Sequence, residues 1–205
     1  MTPVVIVTGA SRGIGAATAR LAGQRGYSVC VNYRTNREAA DGVVKAIEAS
    51  GARAVAVAAD VSIEADVVKL FQTCDRTLGP ATALVNNAGV LEAQMRVEQM
   101  DAARLGSPGE YVDYAASKGA IDTLTIGLAT EVAEEGIRVN AVRAGYIYTQ
   151  MHASGGEPNR VDRVKQFVPM KRGGAADEVA YAILWLLSTE ASFTTGAFID
   201  VTGGR

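Results

Sequence analysis

Short apolar runs alternate with longer runs of helical period along most of the chain. Pro3–Val7 is apolar at nearly every position, the pattern of a parallel strand buried on both faces. Ile14, Ala17, Thr18, Leu21 and Ala22 then recur at helical spacing over Gly13–Arg25, and Gly26 stops that helix. Ser28–Tyr33 predicts a second strand. Arg37–Ser50 predicts a helix that turns Val43, Val44 and Ile47 inward and is closed by Gly51. Arg53–Ala58 reads as the third strand, Glu64–Leu78 as a helix with Val67, Val68, Phe71 and Cys74 on one face, and Thr82–Val85 as the fourth strand. Further on, the pattern predicts a long helix over Val112–Glu135, a strand over Ile137–Val142, a helix over Asp177–Ser188 and a strand over Ala197–Val201. Such alternation predicts an α/β fold with a doubly wound parallel sheet, formed by a single domain over residues 1–205.

The alternation fails once. Thr82–Val85 is followed by a helical stretch, Glu92–Leu105, and a polar turn, Gly106–Glu110, that leads straight into the next helix. A strand–helix–strand unit takes roughly 30 residues or more, so no strand fits between the two helices. One central strand–helix unit is missing from these 205 residues. Either the fold lacks that strand, or the gene encodes a segment these residues omit. The second is expected, because a sheet opened at its centre exposes apolar edges that invite aggregation or swapping.

Composition narrows the function. The hydrophobic share of 48% is that of a globular chain, and 205 residues are enough for a substantial core. A net charge of −2 with scattered basic residues gives no footprint for nucleic acid or an anionic membrane. No apolar run is long enough to span a bilayer, and a strand beginning at Pro3 leaves no room for a leader peptide. Cys30 and Cys74 lie in apolar stretches and read as packing residues of a reducing cytosol, so a cytoplasmic protein is expected. With the single His152 they form no metal constellation.

Thr8-Gly9-Ala10-Ser11-Arg12-Gly13-Ile14-Gly15 follows a strand and opens a helix. Gly9 can turn sharply, Gly13 lets backbone approach a pyrophosphate, and Gly15 allows close helix–strand packing. The helix N-terminus presents N–H groups to the anion. The turn therefore reads as a dinucleotide grip, the alternative being a purely structural glycine turn. At the end of the second strand, Val31-Asn32-Tyr33-Arg34 carries no acid for a ribose 2′-hydroxyl but does carry a guanidinium suited to a 2′-phosphate. Arg12 adds a second. NADP(H) is favoured, with NAD(H) as the alternative. Otherwise Arg34 is an ordinary surface residue.

Tyr114 and Lys118 stand four residues apart on the predicted helix and so share a face. A neighbouring ammonium favours the phenolate, which brings the tyrosine into range for proton transfer near neutral pH. The alternative is an exposed pair with no chemistry.

These pieces together resemble the single-domain branch of the short-chain dehydrogenase/reductase family. The matching residues are Thr8–Gly15, Asp60-Val61, Asn86-Asn87-Ala88-Gly89, Tyr114-Ala-Ala-Ser-Lys118, Ile137-Arg-Val-Asn140 and Thr202-Gly-Gly204, in family order over nearly the whole chain. The nearest branches are those called glucose 1-dehydrogenase-like and 3-oxoacyl-carrier-protein-reductase-like. The resemblance implies that Tyr114 exchanges the proton at the substrate oxygen and that Lys118 holds the nicotinamide ribose. It implies cofactor contacts from Gly9, Ser11, Arg12, Gly13, Ile14 and Gly15, from Tyr33 and Arg34, and from Asp60 and Val61 beside the adenine. Asn86, Ala88 and Gly89 would line the ribose side, and Gly145, Ile147 and Thr149 would meet the nicotinamide carboxamide. Asp60 could equally cap the next helix, and Asn86 could simply satisfy backbone at a strand end.

The family pattern is broken in places. Family members carry an electrophilic serine about a dozen residues before the tyrosine and an asparagine in the preceding helix. Here Asp101 and Ala102 stand in that region, Ser107 is too close to Tyr114, and no residue matches the asparagine. Both gaps map onto the missing unit, with a junction near Met100–Gly106. Arg143-Ala144-Gly145 stands where the family has Pro-Gly, which loosens that turn. Residues 146–174 correspond to the substrate lid, where His152 reads as a surface residue. The expected activity is hydride transfer between nicotinamide and a carbonyl or alcohol substrate, by a homotetramer. The alternative is a non-catalytic NADP(H)-binding protein, a sensor or assembly subunit.

Overall fold

The computed structural model describes residues 2–89 and 112–204, with side chains from 116 onward in the second stretch. The helix expected over Glu92–Leu105, the turn Gly106–Glu110 and Ser107 within it lie outside the described residues. In chain order the elements are β1 (Val4–Val7), α1 (Gly13–Gln24), β2 (Ser28–Tyr33), α2 (Arg37–Glu48), β3 (Ala54–Ala58), α3 (Glu64–Thr77), β4 (Ala83–Val85), α4 (Val112–Glu131), β5 (Ala141–Ala144), α5 (Met151–Ser154), α6 (Arg160–Val164), α7 (Ala176–Leu187) and β6 (Phe198–Val201). They divide into two compact units, Met1–Gly89 with Ala175–Leu187, and Val90–Gly174 with Ser188–Arg205.

In the first unit four parallel strands lie in the order β3-β2-β1-β4. Val5 stands opposite Val29 on one side and Ala83 on the other. Side chains alternate between the two faces of a strand. Val5, Val7, Val29 and Val31 join Ala16, Ala19 and Ala22 of α1, Val43 and Ile47 of α2 and Leu184 of α7 in one core. Val4, Ile6, Cys30 and Val57 join Leu70 and Cys74 of α3 in the other. Helices thus cover both faces, the doubly wound arrangement. Because each fully buried Val or Leu contributes about 1.5–3 kcal/mol, strands buried on both faces appear as unbroken apolar runs. The α3 stripe corrects the expected one. Val67, Leu70, Phe71 and Cys74 turn inward at i, i+3, i+4 and i+7, while Val68, one step off that stripe, is exposed.

In the second unit β5 and β6 form a parallel pair, with Ala141 opposite Phe198 and Ala144 opposite Val201. The regular strand begins at Ala141, not at Ile137. Asn140 donates to the Thr194 carbonyl (2.9 Å) and accepts from the Ala197 N–H (3.0 Å), and the Val139 N–H donates to Thr195 Oγ1 (3.1 Å). Side chains supply these bonds instead of a regular ladder. The long helix also ends early, at Glu131. A 3-10 turn over Ala133–Glu135 follows, and Gly136, at φ 75°, closes it.

Among the described residues β4 pairs only with β1, and β5 only with β6. Leu84 of β4 and Ile121, Leu124 and Ile126 of α4 are exposed. No described helix is long and apolar enough to cross a membrane.

Candidate active site

The first unit builds its site where β1, β2, β3 and β4 end. Thr8 is buried, and its hydroxyl oxygen accepts from the N–H groups of Asn87 and Ala88, both at 2.9 Å. The Asn87 amide in turn donates to the carbonyls of Thr8 (2.8 Å) and Gly9 (3.3 Å). The turn after β1 is thereby pinned to the segment after β4. This packing leaves no space for side chains. Gly9 has φ 61°, and a Cβ there would lie 2.9 Å from Ala88 Cα. A Cβ on Gly15 would meet the Asn87 amide and lie 2.6 Å from the Gly9 carbonyl oxygen. Gly9 and Gly15 are therefore demanded by the contact, and Gly15 lies in the first turn of α1. Its first turn contains no acidic residue, and the first N–H groups of a helix have no partner within it. Such a cradle accepts an anion.

At the end of β2, Tyr33 is buried in the core beside α2, while the Arg34 side chain is exposed. The Arg34 guanidinium lies 3.8 Å from the Asp60 carboxylate. Asp60 accepts from the Ser62 N–H (3.0 Å) and the Ser62 hydroxyl (2.7 Å). These bonds, with the Arg34 charge, hold its carboxyl below the usual carboxylate range. Asp60 thus closes a turn ahead of α3, whose cap position is Ile63. Considering only the β2 end, the sequence shows no acid there; the fold brings one in from β3. Val61 is exposed, as are Asn86, Ala88 and Gly89. It is Asn87, not Asn86, whose side chain satisfies backbone, and that backbone is Thr8 and Gly9 beyond β1.

The second unit holds the remaining residues. Lys118 is exposed on α4, one turn after position 114, and the Tyr114 side chain lies outside the described residues. The Gly145 N–H donates to the Val201 carbonyl (3.0 Å), and a Cβ on Gly145 would stand 2.7 Å from Thr202 Cα. Arg143 braces this turn. It pairs with Asp122 (2.9 Å) and Asp200 (3.8 Å) and lies over the Phe198 ring. Ile147 is buried and bridges to Gly174, with Thr149 partly buried just beyond. The Tyr148 N–H donates to the Gly174 carbonyl and the Gly174 N–H to the Tyr146 carbonyl, both at 2.9 Å. Residues 146–174 are therefore tied together at their base. His152 is not the surface residue expected. It is partly buried, its Nε2 bonds the Ile147 carbonyl (3.2 Å), and burial holds its pKa below 6.5. The Tyr148 hydroxyl donates to Asp162 (2.9 Å), and Phe167 and Met170 are exposed.

Sequence reasoning overlooked Thr8 and Asn32. Both are buried polar side chains in an otherwise apolar strand or at its end, which is the signal that finds them. No group of His, Cys, Asp or Glu among the described residues could hold a metal ion.

Comparison with known proteins is consistent with this geometry. The family profile described as short chain dehydrogenase matches residues 3–107, and that described as enoyl-(acyl carrier protein) reductase matches residues 99–205. The chain is 50% identical to the uncharacterized oxidoreductase YgfF of Escherichia coli K12, over 98% of this chain and 99% of the relative. It is 34% identical to glucose 1-dehydrogenase 2 of Bacillus subtilis, over 97% of this chain and 93% of the relative. The fold superposes on the angucycline C-6 ketoreductase LanV, solved with bound NADP, with a TM-score of 0.89 and 28% identity over 98% of this chain and 95% of that one. The YgfF alignment extends over 245 positions although this chain has 205 residues, so at least 40 of them face no residue here. The two profile matches meet at 99–107, where the missing strand–helix unit is expected. The chain belongs to the short-chain dehydrogenase/reductase family of oxidoreductases.

Proposed function

We propose that this protein transfers hydride between NADP(H) and a carbonyl or alcohol substrate. The observation that carries the reading is the glycine cradle at the start of α1, which side chains would fill, with Arg34 exposed at the neighbouring strand end. LanV, a ketoreductase of similar fold solved with bound NADP, supports it. In this reading Ser11, Arg12, Gly13, Ile14 and Gly15 hold the pyrophosphate, and Gly9, whose N–H is bonded to Asn32, turns the chain beneath it. Arg34 and Arg12 take the 2′-phosphate through charge-assisted bonds. Asp60 and Val61 flank the adenine, and Tyr33 contributes backbone. Asn86, Ala88 and Gly89 border the ribose, and Gly145, Ile147 and Thr149 the carboxamide. NAD(H) is the alternative cofactor, since Asp60 stands 3.8 Å from Arg34 and could meet a free ribose hydroxyl.

The bound nicotinamide supplies or accepts the hydride. Tyr114 gives or takes the proton at the substrate oxygen, and Lys118 holds the ribose and favours the Tyr114 phenolate. The electrophilic serine that would polarise the carbonyl belongs, in this reading, to the strand–helix unit absent from these residues. The lid over 146–174 would offer Phe167 and Met170 to a small-molecule substrate. We place the protein in the cytoplasm as a homotetramer. The apolar surface of α4 supports association, and the net charge of −2 argues against nucleic acid.

The test is Tyr114→Phe, assayed by NADPH oxidation over a panel of ketones and sugars. Turnover should fall about 100-fold or more while NADPH affinity stays within about twofold, because the phenolic proton does not enter cofactor binding. Equal turnover removes Tyr114 from the chemistry.

A further inference from the structure

We infer that Asn32 is a positioning residue that sets the distance between the two ends of the dinucleotide site, the phosphate-binding turn after β1 and the adenosine-binding segment after β3. The inference rests on the NADP(H) reading and adds to it a residue that touches no ligand. Asn32 is the penultimate residue of β2 and is 2% exposed. Its side-chain oxygen accepts from the Gly9 N–H at 3.2 Å. Its amide nitrogen donates to the carbonyls of Val57 (3.3 Å) and Ala59 (3.0 Å). Its own backbone carbonyl accepts from the Ala10 N–H at 2.8 Å. The orientation of the amide is forced, since the oxygen faces a donor and the nitrogen faces acceptors.

Two consequences follow from this network. The N–H groups of Gly9 and Ala10 turn inward to Asn32, so the anion is left to the first turn of α1. The Ala59 carbonyl immediately precedes Asp60, whose carboxylate stands beside Arg34. One buried amide therefore runs from the first glycine of the cradle to the residue before the adenosine contacts. An apolar residue of the same size would leave the part-buried Gly9 N–H without its partner and take the Asn32 bond from the Ala59 carbonyl, a costly arrangement. The asparagine is thus kept in a strand whose other central positions are apolar.

The experiment compares two ligands by isothermal titration. NADPH spans both ends of the site, and 2′-AMP occupies the adenosine end alone. In Asn32→Ala, NADPH affinity should fall about tenfold, the equivalent of one or two net hydrogen bonds, while 2′-AMP affinity changes less than about twofold. General damage to the fold would lower the competent fraction and weaken both ligands by the same factor. That equal loss would overturn the inference. Asn32→Asp gives a second, independent reading if the alanine variant does not fold. A protonated carboxyl can accept from Gly9 and donate to one carbonyl, whereas a carboxylate cannot donate. Its NADPH affinity relative to wild type should therefore recover as pH falls from about 8 to about 5, burial having raised the carboxyl pKa. A flat ratio would count against the role. If wild type binds neither ligand, the dinucleotide reading fails and the inference with it. If wild type binds both and the variants lose both equally, only the inference fails.

Discussion

Replacing Thr18 with valine should make the protein more stable. Thr18 lies in α1 and is fully buried, yet its hydroxyl oxygen has no hydrogen-bond partner among the described residues. The buried face around it is built from Gly15, Ala16, Ala17, Ala19, Ala22 and Gly23, so the helix packs closely there. A buried hydroxyl without a partner costs about 1–3 kcal/mol. Valine replaces it with a methyl group of similar size, keeps the β-branch and has nearly the same helix propensity. The expected gain is about 1–2 kcal/mol, and Tm should rise by about 2–4 °C for each kcal/mol. Thr18→Ser is the control. It keeps the hydroxyl, removes a buried methyl and should cost about 1 kcal/mol. Urea denaturation followed by far-ultraviolet circular dichroism should rank the proteins valine, threonine, serine, with unchanged m-values. A valine variant less stable than wild type would refute the reasoning, since it would mean the hydroxyl is satisfied in the folded protein.

Three further outcomes are expected. Arg34→Ala should weaken NADPH about tenfold more than NADH, because only the former offers a 2′-phosphate to the guanidinium; similar losses for both would remove Arg34 from that contact. Burial lowers the folded-state pKa of His152 below 6.5, with Arg160 nearby acting in the same direction and the Ile147 carbonyl and Glu157 opposing it. The unfolded chain therefore takes up the proton first, so stability is full above pH 6.5 and is lost as pH falls from there toward the folded-state value. Tm measured from about pH 8 to 5 should decline less in His152→Gln than in wild type, and equal declines would show that His152 does not carry the slope. The intact mass of the protein purified from its natural gene should exceed 21.4 kDa by about 4 kDa, the weight of one strand–helix unit of roughly 40 residues. A mass of 21.4 kDa would establish a genuine deletion.

The first half of the sheet was legible because both faces of its strands are buried. Ser28–Tyr33 coincides with β2, and Val4–Val7 differs from the reading only by the proline before it. β5 was less legible because Asn140 binds the backbone of Thr194 and Ala197, far along the chain, and delays the ladder. Val68 was misplaced because the α3 stripe runs through Val67, Leu70, Phe71 and Cys74 and leaves the position after Val67 on the solvent side. In the site, the glycine spacing was readable from local backbone rules, but the reason for Gly15 lies in Asn87, more than seventy residues away. The Arg34–Asp60 pair and the Asn32 network likewise join separate strands. No periodicity reports such contacts, although a buried asparagine in an apolar run is a local sign of one.

The bridge between Ile147 and Gly174 gives residues 148–173 a history of their own. The Met170 N–H, which donates to the Gly203 carbonyl at 3.1 Å, is a second anchor, and a stretch held at such points can be lengthened, shortened or replaced between them while the anchors stay fixed. Doubling the length of a flexible loop costs only about 0.6 kcal/mol in closure entropy. Descendants of this chain can therefore vary that excursion between its anchors while leaving β5 and β6 untouched. A graft of 148–173 from a relative with a different substrate is the matching laboratory route.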